Sequence, residues 1–139
     1  MTAAIRYLSK TGNTKKLADE IAYMAKSPAL SIDSSLTEPV DVLFVGAAIY
    51  KGKLDPKMAA FLNNLDPSFV PRVAVFGTSV SGKSVHPLVV KALADKSIQV
   101  LDEKFDARGK MMFMAKKHPT VVDMANVVAF AVRVMATKI

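Results

Sequence analysis

Apolar residues along the chain keep two alternating rhythms. Short continuous runs, AIRYL (4–8), LSI (30–32), VDVLFVGA (40–47), VAVFG (73–77) and IQVL (98–101), read as five strands. Between them apolar residues recur every three or four positions. Leu17, Ala18, Ile21, Ala22 and Ala25 predict a first helix. Met58, Phe61, Leu62 and Leu65 predict a second, opened by Asp55-Pro56, where aspartate caps free amide groups and proline fits the first helical position. Leu88, Val89, Ala92 and Leu93 predict a third. Val121, Val122, Ala125, Val128, Ala129, Val132 and Met135 predict a long fourth helix, with Thr120 and Asp123 as a capping-box-like start. The segment 102–119, DEKFDARGKMMFMAKKHP, has little period and reads as a loop with short strand content. Strand–helix alternation with nearly all-apolar strands predicts a parallel sheet covered on both faces, in one domain spanning 1–139. Ligands of such sheets bind beyond the carboxyl ends of the strands. Three loops stand there: SKTGNT (9–14), AIYKGKL (48–54) and GTSVSGKS (77–84).

Composition narrows the chemistry. The chain of 139 residues has no cysteine, which excludes disulfides, thiol catalysis and thiolate metal sites. Two histidines, His86 and His118, cannot make a three-histidine metal site, and no metal ligands are expected. The opening MTAAIRYLSKTG has no long apolar stretch of the secretory kind. The apolar run 121–136 carries Asp123, Asn126 and Arg133 and falls short of the ~20 residues a bilayer span needs. A cytoplasmic protein is the expectation. Nineteen Lys and Arg against twelve Asp and Glu give +7. Up to Val70 the count is 8 basic against 7 acidic, and from Pro71 onward 11 against 5. Such a field favours anionic partners. The sequence has no basic–aromatic pattern of the nucleic-acid-binding kind.

The first loop has the chemistry of an anion cradle. Ser9, Thr11 and Thr14 bring hydroxyls, Gly12 allows tight curvature, and Asn13 brings an amide. The helix starting near Thr14 presents unpaired N–H groups and the positive end of its dipole. Together these suit a phosphate dianion; an ordinary polar turn with a helix cap is the plainer alternative. There is no G-x-G-x-x-G dinucleotide fingerprint.

AIRYL-SKTGNT-KKLADEIA resembles the opening of the flavodoxin-like family, whose loop reads approximately T/S-x-T-G-N-T. The later segments FDARG, KKHP and Asp123 to Phe130 resemble its short-chain branch, which includes small flavodoxins and the protoporphyrinogen-oxidase type. Many of that branch carry a cysteine near the place of Ala107; this chain has none. The resemblance implies a three-layer, doubly wound α/β sandwich with a five-stranded parallel sheet in the order 2-1-3-4-5. It also implies FMN as cofactor, its terminal phosphate on Ser9, Thr11, Gly12, Asn13 and Thr14.

In that family the second loop lies beside the flavin ring, which here implicates Tyr50 as a flat stacking partner and the backbone of Ala47, Ala48 and Gly52. Packing of Tyr50 on the adjacent helix is the alternative. Gly52 would let a peptide near flavin N5 turn over at low cost and so tune the potential. The third loop would give Thr78, Ser79, Ser81 and Gly82 to the pyrimidine edge, with Lys83 as a nearby cation or a solvated side chain. The function implied is electron transfer between redox partners or to a small oxidised substrate. The sequence shows no catalytic acid–base pair, so carrier and small oxidoreductase both stand. Family carriers are strongly acidic; at +7 this chain calls for an acidic redox protein or an anionic small molecule.

A competing reading comes from the third loop itself. Gly77 to Ser84 matches G-x-x-x-x-G-K-[ST] letter for letter, between a strand and a helix, as a P-loop nucleotide site does. Against it, no neighbouring strand ends in the aspartate that would hold magnesium, and His86-Pro87 sits where the helix should already be forming. Smaller questions concern His86, which could deliver protons or pack. Phe105 lies under the ligand loops or in the core, and Met111, Met112, Phe113 and Met114 form a docking surface or an irregular core.

Overall fold

The computed structural model describes residues 1–10, 12–79, 83–108 and 121–137. Its elements follow the predicted alternation: β1 (Ala3–Tyr7), α1 (Asn13–Ala25), β2 (Ala29–Ser31), β3 (Val42–Tyr50), β4 (Lys53–Leu54), α2 (Pro56–Asn63), β5 (Arg72–Ser79), α3 (His86–Ala92), β6 (Gln99–Arg108) and α4 (Val121–Met135). The sheet runs β2-β1-β3-β5-β6, with β4 paired antiparallel to β3 outside that path. The five long-path strands are mutually parallel and, counted by themselves, stand in the order 2-1-3-4-5. The sheet therefore has six strands where five were expected.

Alternation along each strand sends residues to two separate cores. Leu43, Val45, Ala47 and Ile49 of β3 meet Met58 and Leu62 of α2, Val89 of α3 and Leu93 just after it. Val42 and Phe44 face the other way, against Leu17 and Ile21 of α1 and Val127, Phe130 and Val134 of α4. Two helices on each face cover a sheet whose central strands have no polar side, which is why those strands read as unbroken apolar runs.

Two expectations from the sequence are corrected. The segment 48–54 is not a plain loop: β3 continues through Tyr50, turns at Lys51-Gly52, and returns as β4. Lys51 and Gly52 both have positive φ (53° and 76°), as a two-residue type I′ hairpin requires. The start of 102–119, read as a loop with short strand content, is continuous strand, since β6 runs to Arg108. Its pairing with β5 slips between Val73 and Val75, from Val73↔Val100 to Val75↔Lys104. That irregularity breaks the two-residue period through Asp102 and Glu103 and hides the strand in the sequence. Lys104 and the acids beside it lie on the sheet's edge, where charge deters pairing with another chain. Residues 109–120, with the Met-rich run, His118 and the Thr120 cap, lie outside the described residues.

The crossover from β2 to β3 (32–41) contains no helix. Arg6 on β1 reaches up to it: Nε donates to Ser34 O (2.8 Å) and Nη2 to Ser35 O (3.2 Å), while Nη1 donates to Ile5 O (2.9 Å). This buried guanidinium binds carbonyls in place of a carboxylate, and desolvation holds its pKa below the usual arginine value.

Candidate functional site

The strand order reverses between β1 and β3: β1 leads outward to β2, while β3 leads the other way to β5. The crevice at such a switch point lies beyond the carboxyl ends of the strands. β1 stops at Tyr7 opposite Gly46, whereas β3 and β5 continue side by side through Ala47↔Gly77, Ala48↔Thr78 and Ile49↔Ser79. The shorter β1 leaves a step, and the first loop fills it.

Gly12 forms the N-cap of α1 at φ 89°, a left-handed conformation that side chains strain to adopt. Its N–H donates to Ser9 Oγ (3.0 Å), which closes the loop on itself. A glycine cap brings no side chain to the first turn, and that turn holds no acidic residue. Asn13 and Thr14 are buried in that turn, and Ser9 is half-buried above it. Thr11 lies outside the described residues. The cradle thus consists of hydroxyls, amides and the positive end of a helix dipole, which is a donor set for a dianion. It sits at one end of the crevice, against Gly46: a Cβ there would strike the Phe76 ring and come within 3.0 Å of Thr14 Cγ2.

An ion pair ties the first loop to the start of α2. Lys10 Nζ lies 3.0 Å from Asp55 Oδ2, and Asp55 also caps α2 by accepting from Lys57 N (2.8 Å). The Asp-Pro cap stands as the sequence predicted. The Lys57 amide foremost, and then Lys10, hold the Asp55 carboxyl below the ordinary aspartate range. A carboxylate with a depressed folded-state pKa contributes stability that is present above its unfolded value of about 3.9 and is lost as pH falls through the folded value. Asp55→Asn is therefore expected to flatten the acid limb of a melting-temperature profile below about pH 4. An acid limb superimposable on wild type would remove the pair from the account.

The third loop contradicts the P-loop reading of its letters. In a P-loop the lysine and the following hydroxyl open the helix and face the nucleotide and its magnesium. Here Lys83 and Ser84 precede α3, whose cap is Val85. Ser84 Oγ donates to Asp106 Oδ2 (2.8 Å), Val85 N donates to Asp106 Oδ1 (3.1 Å), and His86 N donates to Ser84 Oγ (3.2 Å). Asp106 of β6 thus holds the loop's exit. The hydroxyl that would reach magnesium is committed to a neighbouring strand. Sequence reasoning missed Asp106, because its segment was read as loop. His86 Nε2 donates to Leu101 O (2.8 Å), an anchoring contact with β6. Of the residues proposed for the pyrimidine edge, Thr78 and Ser79 are buried at the end of β5, and Lys83 is exposed. Ser81 and Gly82 lie outside the described residues. Thr78 Oγ1 is hydrogen-bonded to Thr14 Oγ1 (3.0 Å), joining the first and third loops.

In the second loop Ala47 is buried and Ala48 half-buried, both on β3. Tyr50 ends that strand opposite Lys53, and Gly52 is exposed in the hairpin turn. The three loops therefore do converge at one edge. An open groove of about 660 Å³ lies away from them, between the helix-free crossover and α2, lined by Ile32, Leu36, Phe61 and Phe69 among others. Its lining also includes Asp33, Ser35, Lys57, Asn64 and Asp66, and no residue of the three loops.

A switch-point crevice with a glycine-capped anion cradle defines a doubly wound α/β protein of the flavodoxin class. The family model for the flavodoxin domain matches residues 4–118, and the chain belongs to that family. No curated protein matches the sequence significantly. Among solved structures, a flavodoxin from the domain Archaea superposes with a TM-score of 0.74 at 19% identity, over 96% of each chain. Two-electron reduced Megasphaera elsdenii flavodoxin gives 0.68 at 18% identity, over 95% of this chain and 99% of that one. A Lactobacillus acidophilus flavoprotein in complex with FMN gives 0.57 at 18% identity, over 76% of this chain and 91% of that one. At these identities the likeness is one of fold. No helix among the described residues is long and apolar enough to cross a membrane.

Proposed function

We propose that this chain binds FMN across the carboxyl edge of its sheet and serves as an electron carrier. The observation that carries the reading is the first loop. A left-handed Gly12, the Ser9 hydroxyl and the glycine-capped start of α1 form a cradle of donors at the switch point. FMN, when bound, supplies one- and two-electron redox chemistry. Ser9, Thr11, Gly12, Asn13 and Thr14 hold its phosphate. Ala47, Ala48, Tyr50 and Gly52 line one side of the ring. Ser79, Ser81 and Gly82 line the pyrimidine edge, with Lys83 close enough to favour negative charge there. The residues fit the group: no carboxylate belongs to the cradle, and Asp55 nearby is paired with Lys10.

The excess of positive charge is the handle for the partner. At +7, the chain suits an acidic redox protein or an anionic small molecule in the cytoplasm, and opposite charges would make the encounter faster at low salt. The test of the reading is the visible absorption spectrum of the purified protein, repeated after titration with FMN, FAD and riboflavin. A flavin spectrum, with FMN bound tightest, is the expected result. Failure of all three flavins to bind would overturn it.

A further inference from the structure

The Thr14–Thr78 contact gives Thr78 a different task from the pyrimidine edge. Thr14 stands in the first turn of α1, Thr78 near the end of β5, and their side-chain oxygens are 3.0 Å apart. Both residues are buried, at 1% and 4% exposure. The methyl of Thr14 is seated over Gly46, where a Cβ would come within 3.0 Å of it, and this fixes the rotamer that turns the hydroxyl toward β5. Thr78 is itself fixed by strand pairing on both sides, to Ala48 and to Ala107. A rigid strand thus grips the first turn of the helix whose N–H groups form the anion cradle.

The pair also has a direction to be set. Each hydroxyl has one proton to give and lone pairs to receive, so one proton lies between the two oxygens and the other remains available. An anion at the first loop favours the arrangement in which Thr78 donates to Thr14 and Thr14 donates onward, each bond strengthening the next away from bulk water.

Resting on the FMN reading above, we infer that Thr78 is a positioning residue for the phosphate end of the cofactor, acting through Thr14, and not a contact of the ring. The test compares FMN with riboflavin, which lacks the phosphate, in wild type, Thr78→Val and Thr78→Ser. Wild type should bind FMN more tightly than riboflavin. Thr78→Val, equal in shape but without the hydroxyl, should lose about three- to tenfold in FMN affinity, the worth of one hydrogen bond, with riboflavin affinity unchanged. Thr78→Ser keeps the hydroxyl and should restore the wild-type preference. Equal loss for both ligands in Thr78→Val would make Thr78 a ring contact and overturn the inference, as would no loss for either. If the valine variant fails to fold, a serine variant whose FMN-to-riboflavin ratio departs from wild type overturns it alone. A wild type that binds both flavins equally would instead bring down the phosphate reading itself.

Discussion

Replacing Thr11 and Thr14 together by alanine is expected to weaken FMN binding by about 3–6 kcal/mol, two hydrogen bonds to a charged group at about 1.5–3 kcal/mol each. Riboflavin binding should stay close to wild type. The asymmetry follows from where the two hydroxyls stand. Thr14 belongs to the first turn of α1, beside the left-handed Gly12, and Thr11 precedes that glycine in the loop. A ligand without a phosphate has nothing to place there. The ring would keep its partners at the ends of β3 and β5, which these substitutions do not touch. Fluorescence titration with the two flavins measures both constants on the same preparation. Since about 1.4 kcal/mol is tenfold, the expected FMN loss is two to four decades, well outside error. Melting of the flavin-free variant serves as control, because Thr14→Ala also removes the partner of Thr78. Parallel losses for FMN and riboflavin would mean that the cradle holds no phosphate.

Much of this arrangement is legible in the sequence. The strands that face helices on both sides could not hide, since VLFV and VAVF contain nothing polar. The Asp55-Pro56 start of α2 follows from capping chemistry alone, and the Lys57 amide on Asp55 bears it out. What stayed hidden depended on pairing between distant segments. The β3 extension from Ala48 to Tyr50 looks like a loop after Ala47. It is strand because β5 runs beside it in register. The β6 slip erases the alternation by which a strand is recognised. Asp106 could be valued only once that strand had brought it to Ser84 and Val85. The Walker-like letters of the third loop are the converse case. The local string is complete, yet its hydroxyl is tied to β6 and its lysine lies outside the helix. A phosphate loop is a set of directions in space, and a one-dimensional pattern does not specify them. In the first loop SKTGNT predicted curvature at Gly12, and Gly12 is where the chain turns left-handed.

Phe130→Ala is expected to cost about 3–5 kcal/mol of folding stability, the range for emptying a buried aromatic site. Phe130 is fully buried on α4. Its ring meets Phe44 of β3 edge-on, centroids 5.8 Å apart at 79°, and lies 6.4 Å from Phe105 of β6. Edge-to-face pairs add about 0.5–1.5 kcal/mol beyond burial. Phe105 therefore belongs to the core on this face, which decides between its two predicted places. The loss matters because α4 covers the sheet beside α1, the helix that opens at the first loop. The rest of that face cannot readily close over the gap. Phe44, Phe76 and Ile5 belong to strands locked by parallel pairing, so relaxation falls to α1 and α4 alone. A native domain has only about 5–15 kcal/mol in total, so this one ring holds a large share of it. Urea denaturation of the flavin-free protein measures the cost directly, read as a lower midpoint with an unchanged slope. A drop below about 1 kcal/mol would mean that the α4 face repacks freely, against the close-packed behaviour expected of such a core.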